Sequence, residues 1–323
     1  MKKNLKRVLA AGLAATMVMG TASVAMADVY DKNGNKVTYP GNVTEDTSFT
    51  DVVSLDLSKT YKAFNSQSSN PAEDFKFEIS CVGVTDSQID KIPNDLIPSF
   101  TQPKVNEETG KEEWVFDNVG EIHFNEGEIV TVEGETTTLN DTNSIKIYLP
   151  DYEYVGIYTY KIKELAGTTA GVTYDSKPLY LKVTVIEQGG KVRVAALHYE
   201  TEDGDKTESF VNTYAAGSLE ISKTVTGNLG EKERYFEVKV KLIGEEGVTY
   251  KESYPVSGGS YKVVDEDGNV TKENPKTISM NNETSFWLKD TDKITIENLP
   301  EGVRYTVKEE DYTDTATNRD NKL

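Results

Sequence analysis

The sequence predicts an all-β chain folded as two tandem β-sandwich domains. Three observations lead there. Short runs rich in Val, Ile, Thr, Tyr and Phe alternate with polar residues along nearly the whole chain. Gly, Asn and Asp turn signals separate these runs. Two stretches, SLDLSKT from Ser54 and SLEISKT from Ser218, open two halves alike.

The elements follow in chain order. Lys2, Lys3, Lys6 and Arg7 precede an apolar run from Val8 to about Met19, and Ala25-Met26-Ala27 is a small-x-small cleavage site. Residues 1–27 therefore read as a secretory signal peptide. No later stretch is apolar enough for a membrane span, so the mature chain is expected to be exported with none. Residues 28–48 form an N-terminal segment with a turn at Asp31-Lys32-Asn33-Gly34-Asn35. The first domain is expected over 49–214, with strands in VVSLDL, FKFEIS, SIKIYL, IYTYKIKE, LYLKVTVIE and KVRVAALHYE. Gln188-Gly189-Gly190 marks a hairpin between the last two. A short helix is expected over Asp86–Ile92, stopped by Pro93. The boundary lies near Ala215-Ala216-Gly217, and the second domain is expected over 217–323 with a hairpin at Asp267-Gly268-Asn269. Many short strands with frequent turns favour sandwiches over a parallel α/β sheet.

Composition narrows the function. The net charge of −19 becomes −23 without the four basic residues of the signal peptide. So acidic a surface repels nucleic acid and identifies no other partner. A single cysteine, Cys81, excludes an intramolecular disulfide, and its place in FKFEISCVGV suggests a buried, inert thiol. There is no H-E-x-x-H, G-x-S-x-G or S-x-x-K set, and neither His123 nor His198 lies in a catalytic motif. Asp265-Glu266-Asp267-Gly268-Asn269 has its glycine too early for an EF-hand and reads as a hairpin turn. Asn42-Val43-Thr44 is an N-x-T site of the kind a Thr-rich chain carries by chance. No enzyme activity, metal or cofactor is expected.

Strand parity singles out three polar residues. Side chains two apart share a face. Val53, Leu55 and Leu57 lead to Lys59; Tyr158, Tyr160 and Ile162 lead to Glu164; Phe210 and Tyr214 flank Asn212. The second half repeats part of this, with Leu219, Ile221 and Lys223 on one face and Val303, Tyr305, Val307 and Glu309 on another. Strand-end residues often snorkel to water. A lysine, a glutamate and an asparagine together on core stripes point instead to chemistry. Burial would lower the lysine pKa and free a nucleophilic amine. The Asn212 carboxamide offers an electrophilic carbon. A protonated Glu164 would hydrogen-bond the Asn212 carbonyl oxygen and pass a proton to departing ammonia. The product would be a Lys59–Asn212 isopeptide bond, made once, by the protein on itself.

At these residues the chain resembles the streptococcal pilin isopeptide linkage domain, the T-antigen-type major backbone pilin of Gram-positive pili. The resemblance covers roughly Val52 to the C-terminus and rests on the S-L-x-[LI]-S-K-T starts, the Y-x-[IV]-x-E strands ending at Glu164 and Glu309, and the phrase GVTYDSKPLYLKVTV. It implies immunoglobulin-like (CnaB/pilin-type) sandwiches and a bond between Lys59 and Asn212 assisted by Glu164. It implies a second bond from Lys223 with Glu309. The acceptor asparagine of that bond is expected outside this chain, because Asn318 and Asn321 sit in a polar tail, so the second domain is expected to lack its last strand. Lys206, near Asn212, is the candidate for intermolecular linkage. The implied partners are other pilin subunits and a sortase, with a host surface as a further candidate, at the cell wall. The alternative is a stalk segment of a larger cell-wall-anchored adhesin.

Overall fold

The computed structural model describes residues 28–37, 51–63, 69–105, 112–127, 131–133, 136–207, 209–227 and 230–311. The signal peptide, Asn42-Val43-Thr44, Asn318 and Asn321 lie outside them. The regular elements among the described residues are all strands apart from one 3-10 turn, Asn94–Leu96. None of their helices is long and apolar enough to cross a membrane.

An N-terminal unit is built from β1 (Val29–Tyr30), β2 (Ser54–Ala63), β3 (Glu73–Thr85), β4 (Ser99–Val105), β5 (Glu112–Asp117), β6 (Val119–Phe124) and β7 (Thr131–Glu133). It continues through β8 (Thr136–Tyr148), β9 (Gly156–Leu165), β10 (Val172–Thr173), β11 (Leu179–Gln188), β12 (Lys191–Glu200) and β13 (Ser209–Tyr214). One sheet runs β10-β13-β2-β8-β4-β5, with β1 beside β2 and β7 beside β8; the other runs β12-β11-β9-β3-β6. Alternation builds the core between them. Leu55, Leu57 and Tyr61 of β2 point inward, as do Phe75, Phe77 and Ile79 of β3 and Tyr158, Tyr160 and Ile162 of β9. Tyr61, Phe75 and Phe124 meet edge to face, with ring centroids 5.0, 5.5 and 5.6 Å apart. This is the geometry that aromatic quadrupoles favour. Gly120 of β6 lets Phe100 lie flat against the backbone, since a Cβ there would stand 2.5 Å from the Phe100 ring.

A C-terminal unit has its own core. Its strands are β14 (Ala216–Ser222), β15 (Phe236–Ile243), β16 (Ser253–Gly258), β17 (Lys262–Val264), β18 (Val270–Glu273), β19 (Thr277–Ser279), β20 (Glu283–Leu288), β21 (Lys293–Pro300) and β22 (Arg304–Glu309). They pair as β14-β21-β16-β19 and β20-β15-β22, with β17 and β18 as a separate hairpin. Val238, Val240, Phe286, Ile294 and Ile296 form the centre of the core. After that hairpin, the buried Asn274 bonds the main chain of Trp287 on β20. Its amide donates to the Trp287 carbonyl at 3.0 Å, and its carbonyl accepts the Trp287 N–H at 2.7 Å.

The units are joined by hydrogen bonds. The connection after β9 lies against Thr249, with Thr249 N–H to Thr168 O and Ala170 N–H to Thr249 O both 2.8 Å. Asn298, held at φ +58°, accepts the Ser69 N–H at 2.9 Å and donates to the Ser69 carbonyl at 2.6 Å. Lys251 also donates to that carbonyl and pairs with Glu126 at 2.8 Å.

Two sequence expectations are corrected. No helix forms over Asp86–Ile92. Asp86 takes the left-handed conformation at φ 52°, and seven residues are too few to hold a helix without strong packing. Cys81 is exposed, not buried. The apolar stripe of β3 ends at Ile79, and a register shift between Cys81 and Gly83 carries the strand past the core. The turns at Gly34, Gly189-Gly190 and Gly268 do form, each with the positive φ that glycine permits.

Candidate functional site

The strands bring Lys59, Glu164 and Asn212 to one place. β13 runs parallel to β2, with Phe210 opposite Lys59 and Asn212 opposite Tyr61. Lys59 and Asn212 therefore project inward from neighbouring strands of one sheet. Glu164, on β9 and paired with Phe77, projects from the facing sheet. The side chains of Lys59 and Glu164 are wholly buried, and Asn212 is equally inaccessible. Around the amine, Nζ lies 4.8 Å from the Phe75 ring centroid, 5.9 Å from that of Phe77 and 5.8 Å from that of Phe210.

Glu164 bridges the other two. Lys59 Nζ donates to Oε2 at 2.6 Å, and the Asn212 amide nitrogen donates to Oε1. The Asn212 carbonyl oxygen accepts the main-chain N–H of Asp175 at 2.7 Å. A main-chain N–H can only donate, so it fixes which end of the carboxamide is oxygen. Here the structure departs from the expectation that Glu164 holds the Asn212 carbonyl oxygen. Glu164 instead touches the two nitrogens that exchange places in an amide-forming reaction.

Burial sets the electrostatics. Desolvation lowers the Lys59 pKa to about 8, against the opposing pull of the Glu164 charge. Desolvation raises the Glu164 pKa from its ordinary value, with Lys59 opposing. Each burial penalty favours the neutral form. A proton passed from ammonium to carboxylate leaves a neutral amine beside a neutral acid, the pair that nucleophilic attack on a carboxamide requires.

The second candidate pair is wetter. Lys223 Nζ donates to both Glu309 oxygens, at 2.8 and 2.7 Å, and lies 4.4 Å from the Phe236 centroid. Its side chain is 15% exposed and that of Glu309 43%. The apolar face of β22 expected to be inward is open as well, with Tyr305 52% and Val307 42% exposed. Among the described residues no asparagine reaches this pair. Lys206 is exposed in the turn before β13, where its main chain forms an antiparallel β-bridge with Glu200. His123 pairs with Asp74 at 2.6 Å and His198 with Glu200 at 3.1 Å, both on strands. The Asp265 loop is an Asx turn, its carboxylate accepting the N–H groups of Asp267 and Asn269. Among the described residues no cluster could hold a metal ion.

Asp175 is the site residue that the strand pattern does not mark. It acts through its main chain, which no residue type announces.

Comparison with known proteins returns two family models and several pilus proteins. Residues 55–215 match the family model described as the Spy0128-like isopeptide containing domain. Residues 217–322 match a domain of unknown function, DUF7601. The chain is 30% identical over 172 residues to a pilin of Streptococcus pyogenes serotype M1, covering 50% of this chain and 46% of that protein. It is 31% identical over 96 residues to the pilus tip adhesin Cpa of Streptococcus pyogenes, covering 30% of this chain and 12% of the adhesin. The chain thus spans less than half the length of these curated relatives. Its fold is similar to the crystal structure of the major pilin from Streptococcus pyogenes, with a TM-score of 0.50 and 22% identity, covering 80% of this chain and 83% of that one.

Proposed function

We propose, from the match of residues 55–215 to the Spy0128-like isopeptide containing domain, that the chain is a structural, major-pilin-like subunit of a cell-surface pilus. Its first domain, 49–214, closes a Lys59–Asn212 isopeptide bond with Glu164 as the proton carrier. One observation carries this reading: a fully buried amine and a fully buried carboxamide meet the same buried carboxylate. The second domain, 217–323, presents Lys223 and Glu309 for a like reaction. Lys206 is the lysine offered for linkage to another subunit by a sortase. The leader directs the chain out of the cell. The match to a tip adhesin favours a second reading, a stalk segment of a larger adhesin.

The bond would close almost the whole first domain into a loop. By the chain-entropy estimate used for disulfides this stabilises it by about 5 kcal/mol. An amide also resists reduction, which suits an exported chain with a single cysteine.

The test is the intact mass of the folded mature chain beside a Lys59→Ala variant. The expected result is a mass short by one ammonia, restored in the variant, with a cross-linked Lys59–Asn212 peptide found by tandem mass spectrometry. Folded protein of unshifted mass overturns the reading.

A further inference from the structure

In this arrangement Glu164 is occupied with the two nitrogens, the one that attacks and the one that leaves. It does not also hold the carbonyl oxygen, where negative charge develops when an amine adds to a carboxamide. Such charge in a dry site needs a fixed donor aimed at it. The structure offers one group there, the Asp175 N–H, 2.7 Å from Asn212 Oδ1.

The loop is built to aim that group. The Asp175 carboxylate accepts the N–H of Val211, the residue before Asn212, at 3.3 Å, and that of Lys177 at 3.0 Å. Residue 175 is thereby tied to the strand that carries the electrophile. Earlier in the loop, Tyr174 donates to Glu73 at 2.7 Å. Gly171 O accepts the Ala215 N–H at 2.8 Å. Gly171 sits at φ +77°, where a Cβ would stand 2.6 Å from the Ala215 carbonyl, so a larger residue would push the loop away. Thr168 and Ala170 are bonded to Thr249 of the C-terminal unit.

We propose that the main-chain N–H of Asp175 is the oxyanion-binding group of the cross-linking reaction, held in place by a loop docked on the C-terminal unit. This rests on the proposed bond between Lys59 and Asn212. The steps balance without any co-reactant. Lys59 gives a proton to Glu164 and becomes a neutral amine. Nζ adds to Asn212 Cγ, and the carbonyl π pair moves onto Oδ1, where the Asp175 N–H receives it. Glu164 passes its proton to Nδ2 and takes one from Nζ. The oxyanion collapses, the Cγ–Nδ2 bond breaks, and ammonia leaves. Amine and carboxamide have become amide and ammonia.

The experiment follows ammonia loss by mass spectrometry as the full mature chain, recovered unfolded and uncross-linked, refolds by dilution. Asp175→Pro deletes the N–H, while Asp175→Ala keeps it and removes only the carboxylate. The expected result is closure in Asp175→Pro slower by about 100-fold or more, and a smaller slowing in Asp175→Ala, which keeps the N–H and loses only the carboxylate that helps to aim it. Tryptophan fluorescence checks that each variant folds. If Asp175→Pro does not fold, a chain with an ester replacing the amide at residue 175, made by semisynthesis, takes its place. Closure of the Pro or ester chain at the parental rate overturns the proposal, as does equal slowing in Asp175→Ala. Failure of the parent itself to lose ammonia overturns the underlying reading instead, so the two failures are told apart.

Discussion

Lys59 and Glu164 share a buried site in which one proton between them is the reactive state. Above pH about 8, the value to which burial lowers Lys59, that proton is lost and no acid remains for the departing ammonia. Below the raised pKa of Glu164 a second proton binds and the amine is again ammonium. The closure rate should therefore be bell-shaped in pH, with its upper limb near 8, when refolding is started at a series of pH values. Glu164→Gln should fold and keep its full mass, because a carboxamide cannot carry the proton. Tyr61 gives a second test: its hydroxyl is buried and makes no hydrogen bond among the described residues. Tyr61→Phe should raise stability by about 1 kcal/mol in urea denaturation, since it removes an unsatisfied polar group. At this scale Lys59, Glu164 and Asn212 were legible because period-two alternation put each on an apolar stripe. Asp175 was not, since its contribution is an N–H that every residue but proline has.

Strands were more legible than the breaks within them. β2, β9 and β13 follow the alternation read from their residues, and the glycine turns between strands follow from left-handed φ. Asp86–Ile92 carried helix-compatible residues, but its start is a left-handed Asp86 and its end is tied to the Pro93 turn. The apolar run FKFEISCVGV also suggested that Cys81 lies inside. The strand outran its core, and alternation cannot say where a facing layer ends. Gly120 supplies a prediction for its element: Gly120→Ala would set a Cβ 2.5 Å from Phe100 and 2.9 Å from Ile145. Both neighbours are held in the packed core, so β6 must shift, and the variant should lose about 1–3 kcal/mol by denaturation. β22 shows the converse limit. Its sequence alternates like that of β9, yet Tyr305 and Val307 lie open, because burial depends on the strands opposite.

At the scale of the molecule, the parallel pairing of β13 with β2 puts the proposed bond between the first long strand and the last strand of the N-terminal unit. Pulled by its ends, a cross-linked chain transmits load from residue 59 to residue 212 without extending the segment between. Single-molecule stretching should show no unfolding step for that segment, and Lys59→Ala should release about 150 residues, or roughly 500 Å of contour. The clamp of Asn298 and Lys251 on Ser69 limits how the units turn against each other. The Asn274 side chain has a different reach. By taking both the N–H and the carbonyl of Trp287, it occupies the rim of β20 from within the same chain. Exposed rims recruit neighbouring chains into unwanted sheets. Crowded copies of this protein meet a rim already saturated at that point, and side-by-side fusion there is closed off before any neighbour arrives.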